Sequence, residues 1–436
     1  MSVWLPTLQI VVTDFELIKD MLLKQGETFA GRPQSYLFDL FTGQGVHKGL
    51  ALANGPLQRE QRRFTLHILR DFGLGRNQME QLIMTETNRL TAHMESLIKQ
   101  GKSTVSPKEL LSICVGSIIS CLVFGHPYDF DDERFFKLRQ LITEFNKMFA
   151  NPLLLLLEQW PALCFIPPWR GLQAKLLDQE LKFRKFFFDE IDAHKAAFDP
   201  STSPADYIDA FLKQRQKRLD SGDEEGGFCD WQLYLASIDL WMAGHETTVT
   251  TLCWAILIML HHPEVVAKVR KEIDEVVGDR EITLTDKNKL PYVMATLHEV
   301  QRFADILPLS LPHMNIQPAQ VGGQSIPAGC PVLPVLTAVH KSPDLFPNPD
   351  KFLPDRFLED GSTTLKKIEH VIPFSLGKRS CLGESLARME LFLIFATLMH
   401  KFDLSVPDGE SLVDLQPVTG FTNSTKEYNV VVCERL

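Results

Sequence analysis

The chain has no CxxC pair, no apolar run of about 20 residues, no internal repeat and no excess of positive charge. Each absence excludes something. The eight cysteines, Cys114, Cys121, Cys164, Cys229, Cys253, Cys330, Cys381 and Cys433, are scattered over 436 residues. A disulfide framework needs a small, cysteine-dense chain, so these read as mostly buried thiols in a reducing compartment. Without a long apolar run, no bilayer-spanning helix is expected. The opening Met1-Ser2-Val3-Trp4-Leu5-Pro6 has no basic stretch followed by an apolar one, so no signal peptide is read. It starts almost inside a strand, which leads us to expect an upstream piece lost or never made. Lys plus Arg number 45 against 55 Asp plus Glu, a net charge of −10. That excludes a broad nucleic-acid footprint, though local basic patches remain open.

What is present is ordinary for a globular protein: 44% hydrophobic and 23% charged residues, with 25 Gly and 26 Pro. Length alone would divide into about three domains. Apolar residues at three-and-four spacing predict helices over 56–70, 77–100, 107–124, 133–149, 170–196, 231–260, 263–277, 291–303 and 382–401. Asp14 is placed to cap a further helix over Phe15 to Lys24. Strand-like runs are few: Leu8–Val12, Val332–Val335 and Tyr428–Val432. Strands and helices do not alternate, which excludes a doubly wound sheet. Residues 151–169 hold five consecutive Leu, Trp160, Trp169 and four Pro. The segment is too short and broken to span a membrane. It reads as a buried turn between helices or as a loop dipping into a membrane interface.

One stretch carries chemistry. Phe374-Ser375-Leu376-Gly377-Lys378-Arg379-Ser380-Cys381-Leu382-Gly383 puts a turn-forming glycine before a cysteine, and an apolar helix after it. Backbone N–H groups at a helix start stabilise a thiolate. Gly383 lets a flat ligand approach, and Arg379 can meet a carboxylate. A lone Cys is usually a buried structural one. The pattern FxxGxRxCxG, however, recurs by chance in roughly one such chain in 10⁴. The loop resembles the haem-binding signature of the cytochrome P450 superfamily, the haem-thiolate monooxygenases. Other motifs of that family follow in the expected order. Glu299-Val300-Gln301-Arg302 matches ExxR, whose ends share a helix face. Pro354-Asp355-Arg356-Phe357 resembles PxRF, 25 residues before Cys381. Ala243-Gly244-His245-Glu246-Thr247-Thr248 resembles AGxET on the helix crossing the distal haem face.

The resemblance, from about Val3 to Leu436, implies a mainly α (α+β) fold. It would be one domain over 1–436, a large helical part with a small β-rich lobe, without the family's N-terminal anchor and proline-rich hinge. It implies haem b, with Cys381 as the iron's axial ligand, and a buried triad of Glu299, Arg302 and Arg356 satisfied further by backbone carbonyls. Thr247 would hydrogen-bond bound dioxygen and Glu246 would pass protons inward. Small Ala243 and Gly244 would open a groove for oxygen and substrate. Phe374, Gly377 and Gly383 would shape the cofactor loop, and Arg62, His313 and Arg379 would reach the haem propionates. Gln58 stands where the family has a Trp, exchanging ring packing for a hydrogen-bond donor. Lys48 aligns with an arginine of many relatives. Ile238, Asp239, Ala243, Gly244, Ile306, Leu307, Phe421 and the loop Gly31–Gly49 are the expected substrate contacts. Arg59, Arg63, Arg70, Arg76 and Lys378 would form a basic face for an NADPH-cytochrome P450 reductase and for a small cytochrome b. The implied substrate is a hydrophobic small molecule, namely a fatty acid, steroid or xenobiotic, oxidised with O2. The implied location is the cytosolic face of the endoplasmic reticulum, with no nucleic-acid partner. A haem-thiolate isomerase or dehydratase, a haem sensor and an inactive truncated form remain open on sequence grounds; the intact Glu246-Thr247 pair speaks against the first.

Overall fold

The computed structural model describes residues 2–5, 7–42, 48–73, 77–149, 151–222, 227–359 and 364–435. Helices dominate, and the expected boundaries hold closely. They run Gly55–Asp71, Asn77–Lys99, Pro107–Phe124, Glu133–Phe149, Trp169–Ala197, Asp230–His261, Pro263–Val276, Pro291–Ala304 and Glu384–Lys401. The Asp230–His261 helix, 32 residues long, is the axis of the molecule. It packs along Pro107–Phe124, and Gly244 faces Ile119 across the contact. A Cβ on Gly244 would lie 2.6 Å from Ile119 Cδ1, and one on Gly116 2.4 Å from Phe135 Cε2. Gly244 therefore lets these two helices approach, while Gly116 makes room for Phe135 of the Glu133–Phe149 helix.

Pro107–Phe124 and Asp230–His261 are long and apolar enough to cross a membrane by length and composition, which corrects the expectation that no segment would be. Of their apolar windows, 83% and 72% is buried inside the protein, so both are core helices. A helix apolar all round is what burial on every side requires.

The β structure is larger than the sequence pattern indicates. A four-stranded sheet has the order Ser2–Leu5, Thr7–Val12, Pro331–Pro334, His313–Met314. Its central pair, Thr7–Val12 with Pro331–Pro334, is parallel, so the N-terminal strands and a segment about 300 residues further on build one sheet. A three-stranded sheet joins Thr104–Val105, Val430–Glu434 and Phe402–Ser405. Two hairpins, Ala319–Val321 with Gln324–Ile326 and Val418–Thr419 with Asn423–Ser424, complete it. The four-stranded sheet has its own small core, with Val12, Phe15, Ile18, Met21, Leu22, Phe29 and Val332 fully or almost fully buried. Asp14 caps as expected, its Oδ1 accepting from Leu17 N at 2.9 Å. The helix it starts is regular only over Phe15–Lys19; Asp20–Lys24 widens into a π-turn.

Three expectations change. The C-terminal strand lies at Val430–Glu434 rather than from Tyr428. Tyr207–Asp220 is a helix that the pattern missed. Residues 151–169 are not a buried turn. Asn151 caps a short helix, Pro152–Gln159, followed by a 3₁₀ turn, Pro161–Phe165. Leu154 and Leu157 are buried, while Leu155, Leu156, Trp160, Phe165 and Ile166 are exposed, Phe165 by 80%.

Candidate active site

The cysteine loop is held by backbone contacts. Cys381 N donates to Phe374 O at 2.9 Å, closing the turn. Gly377 has φ 77°, and a Cβ there would lie 1.9 Å from Leu22 O, so no other residue fits. The loop thus rests on the Asp20–Lys24 turn. The helix after it starts at Glu384, with Gly383 as its cap, two residues later than expected. Cys381 therefore lies in the turn before the helix, and the backbone N–H groups of Gly383 and Glu384 point at its sulfur. Cys381 is exposed to the space over the loop, yet the protein packed about it raises the thiol above its ordinary value; those two N–H groups and Arg62 pull it back toward the thiolate. Phe374 stacks under Arg388, whose guanidinium carbon lies 4.8 Å from the ring.

Behind the loop sits the charged triad. Arg302 Nε donates to Glu299 Oε2 at 2.7 Å and its Nη2 to Oε1 at 2.8 Å. Arg356 Nε reaches Glu299 Oε1 at 3.1 Å, as does Leu353 N at 2.9 Å. The surplus positive charge meets backbone carbonyls: His340 and Pro349 for Arg302, both at 2.9 Å, and Pro347 for Arg356 at 3.0 Å. Glu299 and Arg302 are fully buried, so the arrangement is rigid and each member leaves a charge stranded if removed.

Beside Cys381 stands a second cationic group, with a different character. Arg379 donates Nε to Ala30 O at 2.8 Å, and Nη2 to Ala53 O and to Asn54 Oδ1 at 3.3 Å. Arg62 Nη2 lies 3.5 Å from Ser380 Oγ. The third member is Arg32, which sequence reasoning missed. Its Nη1 donates to Leu311 O at 3.0 Å and Pro312 O at 2.7 Å, and Asn54 bridges it to Arg379 by accepting from Arg32 N at 2.7 Å. Lys48, aligned with an arginine by resemblance, has its Nζ 3.5 Å from Cys229 Sγ instead. Burial, then the charges of Arg379 and Arg62, push Arg32 down to about 9; burial and Arg62 push Arg379 to about 10. His313 donates Nδ1–H to Phe29 O at 2.8 Å, and burial with Arg32 holds it neutral, down to about 3. Among the described residues no carboxylate pairs with Arg32, Arg62 or Arg379. A cluster of three guanidiniums short of counter-charge, Arg32 and Arg379 buried and Arg62 half-buried, is a receptor for an anion. Haem b, with two propionates on a flat ring and an iron that takes a thiolate, fits this donor set.

The AGxET turn faces an accessible space. Ala243 is exposed and Gly244, Glu246 and Thr247 are half-buried, between fully buried Trp241, His245 and Thr248. Gly244 is accounted for by Ile119 rather than by an open groove. Thr247 Oγ1 donates to Ala243 O at 2.7 Å and its carbonyl accepts from Thr251 Oγ1 at 2.8 Å. The hydroxyl is thus bonded back to its own helix, with its lone pairs free. Burial raises Glu246 above the usual carboxylate range, with Lys108 opposing. His245 stacks on Trp241 at 4.8 Å, and its Nε2 lies 3.1 Å from Ser112 O. It locks two helices together and faces no reactant.

Of the expected substrate contacts, Ile238 is buried, Ile306 and Leu307 are half-buried and Phe421 is exposed. Asp239 has a structural partner: its Oδ2 accepts from Leu50 N at 2.6 Å and Ala51 N at 2.9 Å. Burial pushes it up to about 6 despite those two bonds. Within Gly31–Gly49, residues 43–47 lie outside the described residues, as does Arg76 of the basic face. Gln58 is buried in the Gly55–Asp71 helix. Arg59, Arg63 and Arg70 are exposed along one face of that helix. Glu27 joins the patch: it lies 3.0 Å from Lys378 Nζ and 3.8 Å from Arg59 Nη1.

A cysteine presented by backbone amides, a rigid triad behind it and a cationic receptor beside it define a haem-thiolate protein. The comparisons with known proteins agree. The family model "Cytochrome P450" matches residues 1–432. The chain is 35% identical to "Cytochrome P450 2U1" of Rattus norvegicus over 430 residues, 98% of this chain and 79% of that one. It is 37% identical to "Cytochrome P450 2D26" of Mus musculus over 409 residues, 93% and 80% of the two chains. It is 37% identical to "Cytochrome P450 2D14" of Bos taurus over 437 residues, 100% and 85%. The chain belongs to the cytochrome P450 family. It is an oxidoreductase of the haem-dependent monooxygenase class, working with O2 on a small molecule and with a redox partner.

Proposed function

We propose that the chain folds as one catalytic domain over 1–436 and inserts one oxygen atom from O2 into a hydrophobic small molecule, a fatty acid, steroid or xenobiotic. Haem b, when bound, supplies the reduction of O2 and the oxygen insertion. The chain's residues do the rest. Cys381 gives its thiolate to the iron, held there by the Gly383 and Glu384 amides. Arg32, Arg62 and Arg379 receive the propionates. His313 joins them once those carboxylates raise its affinity for a proton, because its Nδ1–H is already committed to Phe29 O. Glu246, half-buried and with its proton affinity raised by burial, delivers protons inward. Thr247 accepts them on its hydroxyl and presents them to the reacting oxygen by releasing Ala243 O. Asp239 positions the segment at Leu50–Ala51, and Ile306, Leu307 and Phe421 with Ala243 line the substrate's path.

Electrons come from an NADPH-dependent reductase docked on Arg59, Arg63, Arg70 and Lys378, with a small cytochrome b on the same face. The exposed Leu155, Leu156, Trp160, Phe165 and Ile166 rest on the cytosolic face of the endoplasmic reticulum membrane; exposed Trp and Phe beside Leu suit the interface. The observation that carries the reading is the uncompensated cluster of Arg32, Arg62 and Arg379 next to Cys381. The test is to reduce the purified protein under carbon monoxide and record its Soret band. A strongly red-shifted band is expected, followed by NADPH- and reductase-dependent product. A protein that takes up no haem refutes the reading.

A further inference from the structure

Three segments far apart in sequence meet at one side chain. Asp305 ends the Pro291–Ala304 helix in a left-handed conformation, φ 43°, and begins the stretch carrying Ile306 and Leu307. It is buried and fixed from the far side: Thr337 Oγ1 donates to its Oδ2, and His340 Nδ1 lies 2.8 Å from its Oδ1. His340 Nε2 accepts from Ile372 N at 3.1 Å, so its Nδ1 carries the proton and donates to Asp305. Asn423 then binds this anchor from the near side. Its Nδ2 donates to Asp305 O at 3.1 Å and its backbone N to Ile306 O at 2.9 Å. Its own carbonyl accepts from Trp254 Nε1 at 2.9 Å, on the Asp230–His261 helix. Asn423 also opens the strand paired with Val418–Thr419, whose turn carries Phe421.

We infer that Asn423 is a positioning residue that fixes substrate specificity by fastening the Ile306–Leu307 stretch and the Phe421 turn to each other and to the oxygen-side helix. The inference rests on the proposed haem pocket, in which those three residues face the substrate. Its physical basis is independent of that pocket. The strand at Asn423–Ser424 is two residues long and cannot hold its turn by ladder bonds alone. Ile306 and Leu307 lie in no helix or strand. The Ile306–Leu307 stretch is held on its far side by the Asp305 contacts and by Thr337 N donating to Pro308 O at 3.1 Å, and the three bonds at Asn423 join it to the Phe421 turn and to the Asp230–His261 helix. Two of the three bonds can be removed by substitution without touching the backbone: the Asn423 side-chain bond to Asp305 O, and the Trp254 Nε1 bond to Asn423 O.

The test uses the haem-loaded protein with two iron-binding probes, imidazole and 4-phenylimidazole. The small probe needs only the iron; the large one also reads the pocket wall. Asn423→Ala should weaken or strengthen 4-phenylimidazole by about fivefold, one net hydrogen bond, leaving imidazole and the carbon monoxide band unchanged. Asn423→Asp, which faces a carboxylate with the Asp305 carbonyl, should shift it further in the same direction. Trp254→Phe should act like Asn423→Ala. Amide hydrogen exchange gives a second readout, independent of the cofactor: in Asn423→Ala it should rise together over 305–310 and 418–424. Three results overturn the inference: both probes shifting equally, neither probe shifting, or faster exchange confined to 418–424. If the unaltered protein gives no imidazole difference spectrum, the haem pocket itself fails, and the exchange result still decides the coupling.

Discussion

Glu390 offers a quantitative check on the electrostatics beneath the site. It lies in the Glu384–Lys401 helix, 1% exposed, with Thr248 Oγ1 donating to Oε2 at 3.2 Å and, among the described residues, no partner for Oε1. Thr248 adjoins Thr247, so this carboxyl sits under the oxygen-handling turn. Burial pushes Glu390 up to about 8 from 4.5, with only the Thr248 bond opposing. The sign follows. Below pH 4.5 the group is protonated in both the folded and the unfolded chain and contributes nothing. Between 4.5 and 8 the unfolded chain ionises first, so folding stability falls as pH rises; above 8 it falls no further. At about 1.4 kcal/mol per pH unit, the loss reaches about 3 kcal/mol by pH 7. Glu390→Gln, which mimics the neutral acid, should match the parent at pH 5 and exceed it progressively toward pH 8. For a chain of this length 3 kcal/mol is about 3 °C in Tm. The assay is thermal unfolding of both proteins from pH 5 to 8.5. A constant offset between them across that range would refute the burial argument.

Gly377→Ala should abolish soluble, haem-loaded protein, because the new methyl meets the Leu22 carbonyl and no rotamer can move it; haem absorbance per mole of chain is the measurement. Glu299→Gln should cost about 3–5 kcal/mol and be seen as loss of haem incorporation rather than as slower turnover, since it leaves two buried guanidiniums without their anion. Arg63→Glu with Arg70→Glu should slow reductase-dependent reduction at low salt and leave the rate at high salt nearly unchanged; an unaltered salt dependence would remove this face from the docking site. Glu27→Ala should do the opposite, because it unpairs Lys378 and Arg59.

Much of this architecture is legible in the sequence, and the limits are physical. Long helices announce themselves through the 3.6-residue period, so their boundaries fall within a residue or two of expectation. The cysteine helix starts late because Cys381-Leu382-Gly383 is apolar enough to continue the pattern, yet its amides are turned toward the sulfur. Strands of two to four residues, such as His313–Met314 and Ala319–Val321, are too short to show alternation. The Tyr207–Asp220 helix hides because its buried residues, Tyr207, Ile208, Ala210, Phe211 and Leu212, crowd into its first half and a run of Lys, Arg and Gln follows. Motif residues could be named in advance, since their spacing is local. Arg32 could not. It sits alone in Gly31-Arg32-Pro33, and its partners at 51, 54, 311 and 312 are brought to it only by the fold. Glu390 belongs to no motif, and its burial shows only in the structure, where its helix is buried throughout Met389–Met399. The motif points Gly244 at the reactants, but its tightest neighbour is Ile119.

The three guanidiniums also bear on how the protein lives in a cell. Like charges gathered in a dry interior oppose folding until something anionic joins them. Whatever satisfies them therefore contributes its binding energy to the fold, and stability rises with the logarithm of its free concentration. Cofactor supply then acts on abundance as well as on activity. A cell that ran short of haem would clear newly made chains before they matured, so the amount of this protein would follow the haem pool without any dedicated regulator.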